Sequence, residues 1–230
     1  MIEGVVVLVV GVIIGHFLSK CIYCMAREEA LSTTKIPGRK RKIWSTYLGI
    51  EALTAFIFLL FYSEYGFSFI GMMCMVFSAV LILLGFIDKE YMILPTGIIG
   101  IGMLVGIVVR VVLTIIRQDL FYIIDGLIGA LIGYGCFKML YHIALKVFDK
   151  EMLGFGDVRL MGMLGFYIGI VQLFNMLVIA TLMASCVGFI LFTKYKQSRP
   201  YPFGPFLCGA TLLIMLFGTQ IIRHVDLISF

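Results

Sequence analysis

Long apolar runs separated by short polar breaks set the rhythm of this chain. The runs fall at about 2–22, 44–62, 67–87, 97–116, 121–145, 157–173, 174–193 and 203–222. Each is close to the roughly 20 residues that a helix needs to cross the ~30 Å hydrocarbon layer of a bilayer. A membrane β-barrel would instead show segments of about 10 residues with alternating polarity. The pattern therefore predicts an all-α, polytopic membrane helix bundle of about eight transmembrane helices, forming one membrane-embedded domain over residues 1–230. Its tightest predicted turns lie at Ser63–Gly66 and around Gln172–Asn175. Pairs such as Gly11/Gly15, Gly102/Gly106, Gly129/Gly133 and Gly165/Gly169 place small residues on one helix face, which lets neighbouring helices approach closely.

Composition agrees with lipid as the solvent. Hydrophobic residues make up 62% of the chain and charged residues only 13%, against about 25% charged in soluble domains. The first run, Val5–Leu18, has no basic region before it and no small-residue cleavage site after it, so it reads as a retained helix. The net charge of +5 is concentrated in short loops, which points to membrane topology and not to nucleic acid. Lys and Arg in short loops remain on the cytoplasmic side. The break at 23–43 carries Arg27, Lys35, Arg39, Lys40, Arg41 and Lys42, and alternate breaks carry Lys89, then Lys146 and Lys150, then Lys194, Lys196 and Arg199. The opposite breaks hold only Arg117 and Arg223, with Arg110 one or two turns inside. Both termini are thus expected outside, with loops 88–96 and 146–157 in the cytoplasm. The six cysteines show no disulfide framework, and four lie inside apolar runs as small hydrophobes. Cys21 and Cys24 form a C-x2-C pair with no second pair to complete a zinc site, so neither metal nor cofactor is expected.

Among thirteen acidic residues, Asp88 and Asp157 stand apart. Asp88 closes the run Val76–Ile87, and Asp157 opens another in Gly154-Phe155-Gly156-Asp157-Val158-Arg159-Leu160. An ionised carboxylate at membrane depth costs roughly 2.5–3.5 kcal/mol on insertion scales, so it is usually functional or paired. The loop charges put both on one face, where they can meet. Two carboxylates sharing a site cannot both ionise cheaply, and the pair holds a proton between them. The ionised member can then deprotonate a water while the protonated member polarises a peptide carbonyl. Gly154 and Gly156, lacking Cβ atoms, suit close approach of a substrate backbone, and Pro95 suits the start of the next helix. The residues alone leave a second reading open, with Asp157 as a helix N-cap and Asp88 as an interfacial carboxylate paired with Lys89 or Arg159. For Asp125 a cap or interhelical hydrogen bond is expected, and for His16 a packed, hydrogen-bonded role. Glu51 is expected to support the site or pair with the basic loop.

Three ordered motifs resemble the type IV prepilin peptidases, bacterial membrane aspartyl proteases. They are Gly85-Phe86-Ile87-Asp88 with Pro95 downstream, Glu151 to Leu160, and Tyr201-Pro202-Phe203-Gly204-Pro205-Phe206 with Gly209. Tyr47 to Ala55 is similar to the family's second helix. The resemblance implies that Asp88 and Asp157 are the catalytic pair, with Gly154, Gly156, Glu151, Arg159, Pro95, Pro202, Gly204 and Pro205 supporting the site or the substrate. It also implies a prepilin or pseudopilin precursor as partner, with a short basic leader and an apolar N-terminal helix, cut after a glycine at the cytoplasmic face of the bacterial inner membrane. Glu90, Asp149 and Glu151 flank the aspartates and suit a basic leader.

The front end departs from the family. Residues 23–43 form a short basic loop where bifunctional members carry a domain with two C-x2-C pairs, associated with methylation by S-adenosylmethionine; methylation is therefore not expected. His16 stands where a serine in Gly-Ser-Phe is the pattern. A presenilin-like intramembrane protease shares Gly-x-Gly-Asp but carries Tyr-Asp and Pro-Ala-Leu, whereas here Ile87 precedes Asp88. A proton-coupled transporter would use carboxylates as a relay and show inverted repeats, of which the sequence shows no sign.

Overall fold

A computed structural model describes residues 2–32, 43–148, 154–195 and 201–226. Eight helices and no strand occur among them: α1 (Ile2–Ser32), α2 (Ile43–Tyr65), α3 (Phe69–Tyr91), α4 (Thr96–Arg117), α5 (Phe121–Phe148), α6 (Phe155–Ile168), α7 (Ile170–Tyr195) and α8 (Gly204–Asp226). The eight apolar runs each yield one helix, because a chain surrounded by hydrocarbon must satisfy its backbone groups within itself. Six of the helices, α1 to α5 and α7, are long and apolar enough to cross a membrane. In α8 the apolar stretch among the described residues is Gly204–Phe217, and α6 has 14 residues, about 21 Å of helix.

Helix ends depart from the hydropathy boundaries where local chemistry decides. Helix α1 continues to Ser32, well past the end of its apolar run at 22, because helical hydrogen bonding does not stop where lipid does. Residues 33–42, the remainder of the basic 23–43 stretch, lie outside the described residues. The turn expected at Ser63–Gly66 closes slightly later. Gly66 takes a left-handed φ of 59°, and Ser68 caps α3 by accepting the Gly71 N–H at 3.0 Å. Pro95 precedes the first turn of α4 as its N-cap, as expected.

The largest correction concerns the sixth and seventh spans. Their break is not at Gln172–Asn175 but at Gly169, whose φ is 81°. Gln172 and Asn175 instead lie within α7, hydrogen-bonded to each other at 3.2 Å. Polar residues in an apolar run look like a break. The actual break is possible because two residues from other helices, described below, satisfy its backbone.

Helices α3, α8, α6 and α4 form a square in which each packs on the next, with α3 and α6 on opposite corners. Its centre is filled by buried Leu81, Leu84, Leu160, Leu164 and Leu207. Toward one end of the square, Phe77 of α3 and Tyr167 of α6 stack with ring centroids 3.6 Å apart. The α1–α2 hairpin packs against α3, while α5 and α7 pack on α6. Apolar side chains that remain exposed, including Ile13, Leu104, Leu131, Phe174 and Phe189, face outward, as they do when lipid is the solvent.

Small residues set the tightest contacts. Gly11 and Gly15 of α1 approach the Cα atoms of Ala55 and Glu51, where an added Cβ would come within 2.7 Å. Between α5 and α6, a Cβ on Gly129 or on Gly165 would collide with the other's carbonyl oxygen. We predict that Gly129→Ala forces α5 and α6 apart and costs about 1–3 kcal/mol. Gly135→Ala, on the same helix with nothing within 4 Å, gains up to about 1 kcal/mol from helix propensity. Thermal unfolding of both variants in detergent checks the contrast.

Candidate active site

At the end of the square opposite the Phe77–Tyr167 stack, α3 finishes and α6 begins, bringing Asp88 and Asp157 toward each other. Helix α3 stops where Met92 adopts a left-handed conformation and donates its N–H to the Asp88 carbonyl at 2.8 Å. Asp88 therefore occupies the last turn. Helix α6 starts at its N-cap Gly154, whose carbonyl accepts the Asp157 N–H at 3.0 Å. Asp157 is thus the third helical residue and not the cap.

Both aspartates are buried, at 5% and 8% exposure, and they are close enough for their charges to interact. Neither makes an ion pair among the described residues. Lys89 lies over the Phe86 ring, while Arg159 donates to Thr96 Oγ1 and covers the Phe155 ring at 4.8 Å. The alternative of an interfacial carboxylate paired with Lys89 or Arg159 is therefore not what the geometry shows.

Helix N-termini supply the electrostatic support in place of cations. Asp157 sits in the positive first turn of α6. Asp88 is at the less favourable C-terminal end of α3, but its Oδ2 accepts the Gly204 N–H from the first turn of α8 at 3.0 Å. This approach requires glycine, since a Cβ on Gly204 would lie 2.5 Å from Asp88 Oδ2 and 3.0 Å from its Cγ. The other carboxylate is freer: Asp157 Oδ1 is buried without a hydrogen-bond partner among the described residues.

The remaining expected residues divide by contact. Gly156 packs on Leu94, where a Cβ would lie 2.8 Å from the leucine Cβ, so it joins α6 to the segment before Pro95. Gly154 has no such crowding, its added Cβ coming no nearer than 3.5 Å to Asp157 Oδ2. Arg159 ties α6 to the start of α4 and does not reach the aspartates. Pro202 precedes α8, and Pro205 lies in its first turn beside Gly85. Glu151 and Asp149 lie outside the described residues.

Glu51 pairs with His16 at 2.9 Å across the α1–α2 seam, so neither joins the aspartates. Asp125 makes both kinds of contact expected of it, an interhelical bond to Arg110 and a cap on α7.

Cys208 was read from sequence only as a small hydrophobe. It is buried at 3% exposure and within electrostatic reach of both aspartates. Its spacing of four from Gly204, which places both on one face of α8, was the available signal.

A family model described as the type IV leader peptidase family matches residues 75–193. This is just over half of the chain and includes both aspartates. The chain belongs to that family. Among curated relatives, a prepilin leader peptidase/N-methyltransferase of Myxococcus xanthus is 31% identical over 151 residues, covering 66% of this chain and 44% of that protein. The protein of the same description from Dichelobacter nodosus is 28% identical over 217 residues, covering 88% of this chain and 72% of its own length. A type 4 prepilin-like proteins leader peptide-processing enzyme of Escherichia coli is 34% identical over 186 residues, covering 77% of this chain and 65% of that protein. The chain thus spans between 44% and 72% of these relatives. No solved structure matches it.

The Gly204 contact yields a second prediction. Gly204→Ala must displace Asp88 or α8, costing about 1–3 kcal/mol of stability. Gly85→Ala, whose added Cβ meets Cys208 and Pro205 at ordinary distances of 3.6 and 3.7 Å, should change stability by about 0.5 kcal/mol or less. Paired thermal melts check this.

Proposed function

We propose that the chain is an aspartic endopeptidase of the bacterial inner membrane, removing the basic leader of type IV prepilin-like precursors by cutting after a glycine at the cytoplasmic face. The observation that carries this reading is the pair of buried aspartates, within range of each other's charge and without an ion-paired cation among the described residues. Such a pair is costly to bury, and holding one shared proton relieves the cost while supplying an acid and a base together. The descriptions of the relatives as prepilin-processing enzymes support the substrate class, and the alternating loop charges support the membrane face.

In the proposed reaction, the ionised carboxylate takes a proton from water as the water oxygen bonds to the scissile carbonyl carbon. The protonated carboxyl donates to the carbonyl oxygen. The tetrahedral gem-diol then collapses: one of its hydroxyls returns a proton to the ionised carboxylate as the C=O bond re-forms, the C–N bond breaks, and the departing nitrogen takes a proton from the other carboxyl, which restores the starting protonation. The Gly204 N–H fixes Asp88, and the unpartnered Asp157 Oδ1 is a binding point for water or substrate.

One observation favours a second reading. The α6–α7 break at Gly169 is the kind of interruption a proton-coupled transporter carries. Its acidic residue, Asp125, is however paired with Arg110, and no buried carboxylate lies between it and the aspartate pair among the described residues.

Asp88→Asn and Asp157→Asn should each lower cleavage of a purified prepilin-like precursor by at least about 100-fold. Melting temperature should be equal or higher, because an uncompensated buried carboxylate is removed. More than a tenth of wild-type turnover in either variant contradicts the assignment. Intact-mass analysis with S-adenosylmethionine present should find an unmodified new N-terminus; a gain of one methyl group would overturn the reading of 23–43 as a segment without methylating function.

Depth gives a further test. Moving the substrate's cleavage glycine two helical turns, about 11 Å, into its apolar segment should nearly abolish cutting. Extended backbone there would lose the water and protein groups that satisfy it. Efficient cleavage at the buried glycine would favour a presenilin-like protease with its site in mid-membrane.

A further inference from the structure

At the far end of α6 from Asp157, three helices meet at a second buried charge cluster. Arg110 of α4 and Asp125 of α5 are 6% and 8% exposed and paired at 2.9 Å. The guanidinium also donates from Nε to the Phe166 carbonyl at 3.1 Å and from Nη2 to the Tyr167 carbonyl at 2.9 Å. A third backbone bond runs from Nη1 to the Tyr122 carbonyl at 3.0 Å. Asp125 Oδ1 accepts the Ile170 N–H at 3.0 Å. The cation thus binds the carbonyls that end α6, and the anion binds the first amide of α7.

We infer that Arg110 and Asp125 are positioning residues for Asp157, acting through α6 as a rigid rod; the inference rests on Asp157 being one of the two catalytic groups. Nine residues separate Asp157 from Phe166, about 14 Å of straight helix. An axial shift at one end is therefore transmitted to the other. The α5–α6 contact is made partly backbone on backbone, at Gly129 and Gly165 and at Gly133 and the Met161 carbonyl, and partly by Tyr134 against Gly162 and Tyr141 against Phe155. The Arg110 fork adds an anchor at the end of α6, since its nitrogens meet several acceptors in one geometry that a sliding helix would break. Tyr167, whose carbonyl the fork binds, is further held by its stack on Phe77 and by its hydroxyl, which donates to Cys74 Sγ at 3.6 Å. The aspartate pair is thus set from both corners of the square, Asp88 by Gly204 and Asp157 by a clamp at the opposite end of its helix.

The test uses the full chain in one detergent, with kcat, KM and melting temperature measured on Arg110→Lys and on the double variant Arg110→Met/Asp125→Leu. Lysine keeps the charge opposite Asp125 but not the planar fork. The double variant removes both charges, so neither is left buried alone. For both, KM should stay within about twofold of wild type while kcat falls about tenfold or more, the scale on which misplacing a catalytic group by up to 1 Å acts. Wild-type kcat per folded molecule in either variant, whatever the change in melting temperature, overturns the inference and shows the cluster to be structural only. Should Arg110→Lys not assemble, the double variant decides. Activity retained in Asp157→Asn would defeat the catalytic reading itself, whereas an inactive Asp157→Asn alongside fully active Arg110 variants defeats only the positioning role.

Discussion

Within hydrocarbon, no water is at hand to complete a hydrogen bond, so each buried polar group in this bundle must be answered by another part of the chain. The helices do this for most of the backbone without help. Two places remain where helix geometry is insufficient: the α6–α7 break at Gly169 and the mouth of the square at Asp88 and Asp157. At the first, Arg110 answers the Phe166 and Tyr167 carbonyls and Asp125 the Ile170 amide. At the second, the polar groups are answered in part, by the Gly204 N–H and the first turn of α6. That contrast separates a structural charge cluster from a chemical one.

The arrangement of helices follows from the same constraint. Carboxylates on opposite corners of a square can face each other only if the other corners hold the mouth narrow. Gly204 lets the start of α8 come against Asp88, and Gly156 lets α6 settle on Leu94. Either side chain, enlarged by one carbon, would push the corners apart. The apolar filling beneath, Leu84, Leu160 and Leu207 among it, gives water no polar group to follow into the bundle, which keeps the proposed chemistry at the mouth.

Much of this was legible in the residues because membrane solvation writes a strong pattern. Eight apolar runs gave eight helices, and the two aspartates were marked by ending and opening such runs. What was not legible depended on contacts distant in sequence. Gly169 in Tyr-Ile-Gly-Ile resembles any helical glycine, and only the fork of Arg110, whose bond to the Tyr167 carbonyl spans 57 residues, makes it a break. Cys208 reads as a small hydrophobe until α8 is folded against α3. The reach of α1 to Ser32 was hidden because hydropathy reports the lipid boundary and not the end of hydrogen bonding. Arg159, conspicuous beside Asp157 in sequence, points instead to Thr96 and Phe155.

The central claim is that Asp88 and Asp157 act as one unit. It is tested most directly by comparing the residual turnover of Asp88→Asn/Asp157→Asn with that of each single variant, read by mass spectrometry after long incubation with a purified precursor. If the carboxylates share one proton and one reaction, removing the second after the first is lost changes little, and the double variant matches the singles. A double variant slower than wild type by the product of the two single losses would show two independent contributions and contradict the account.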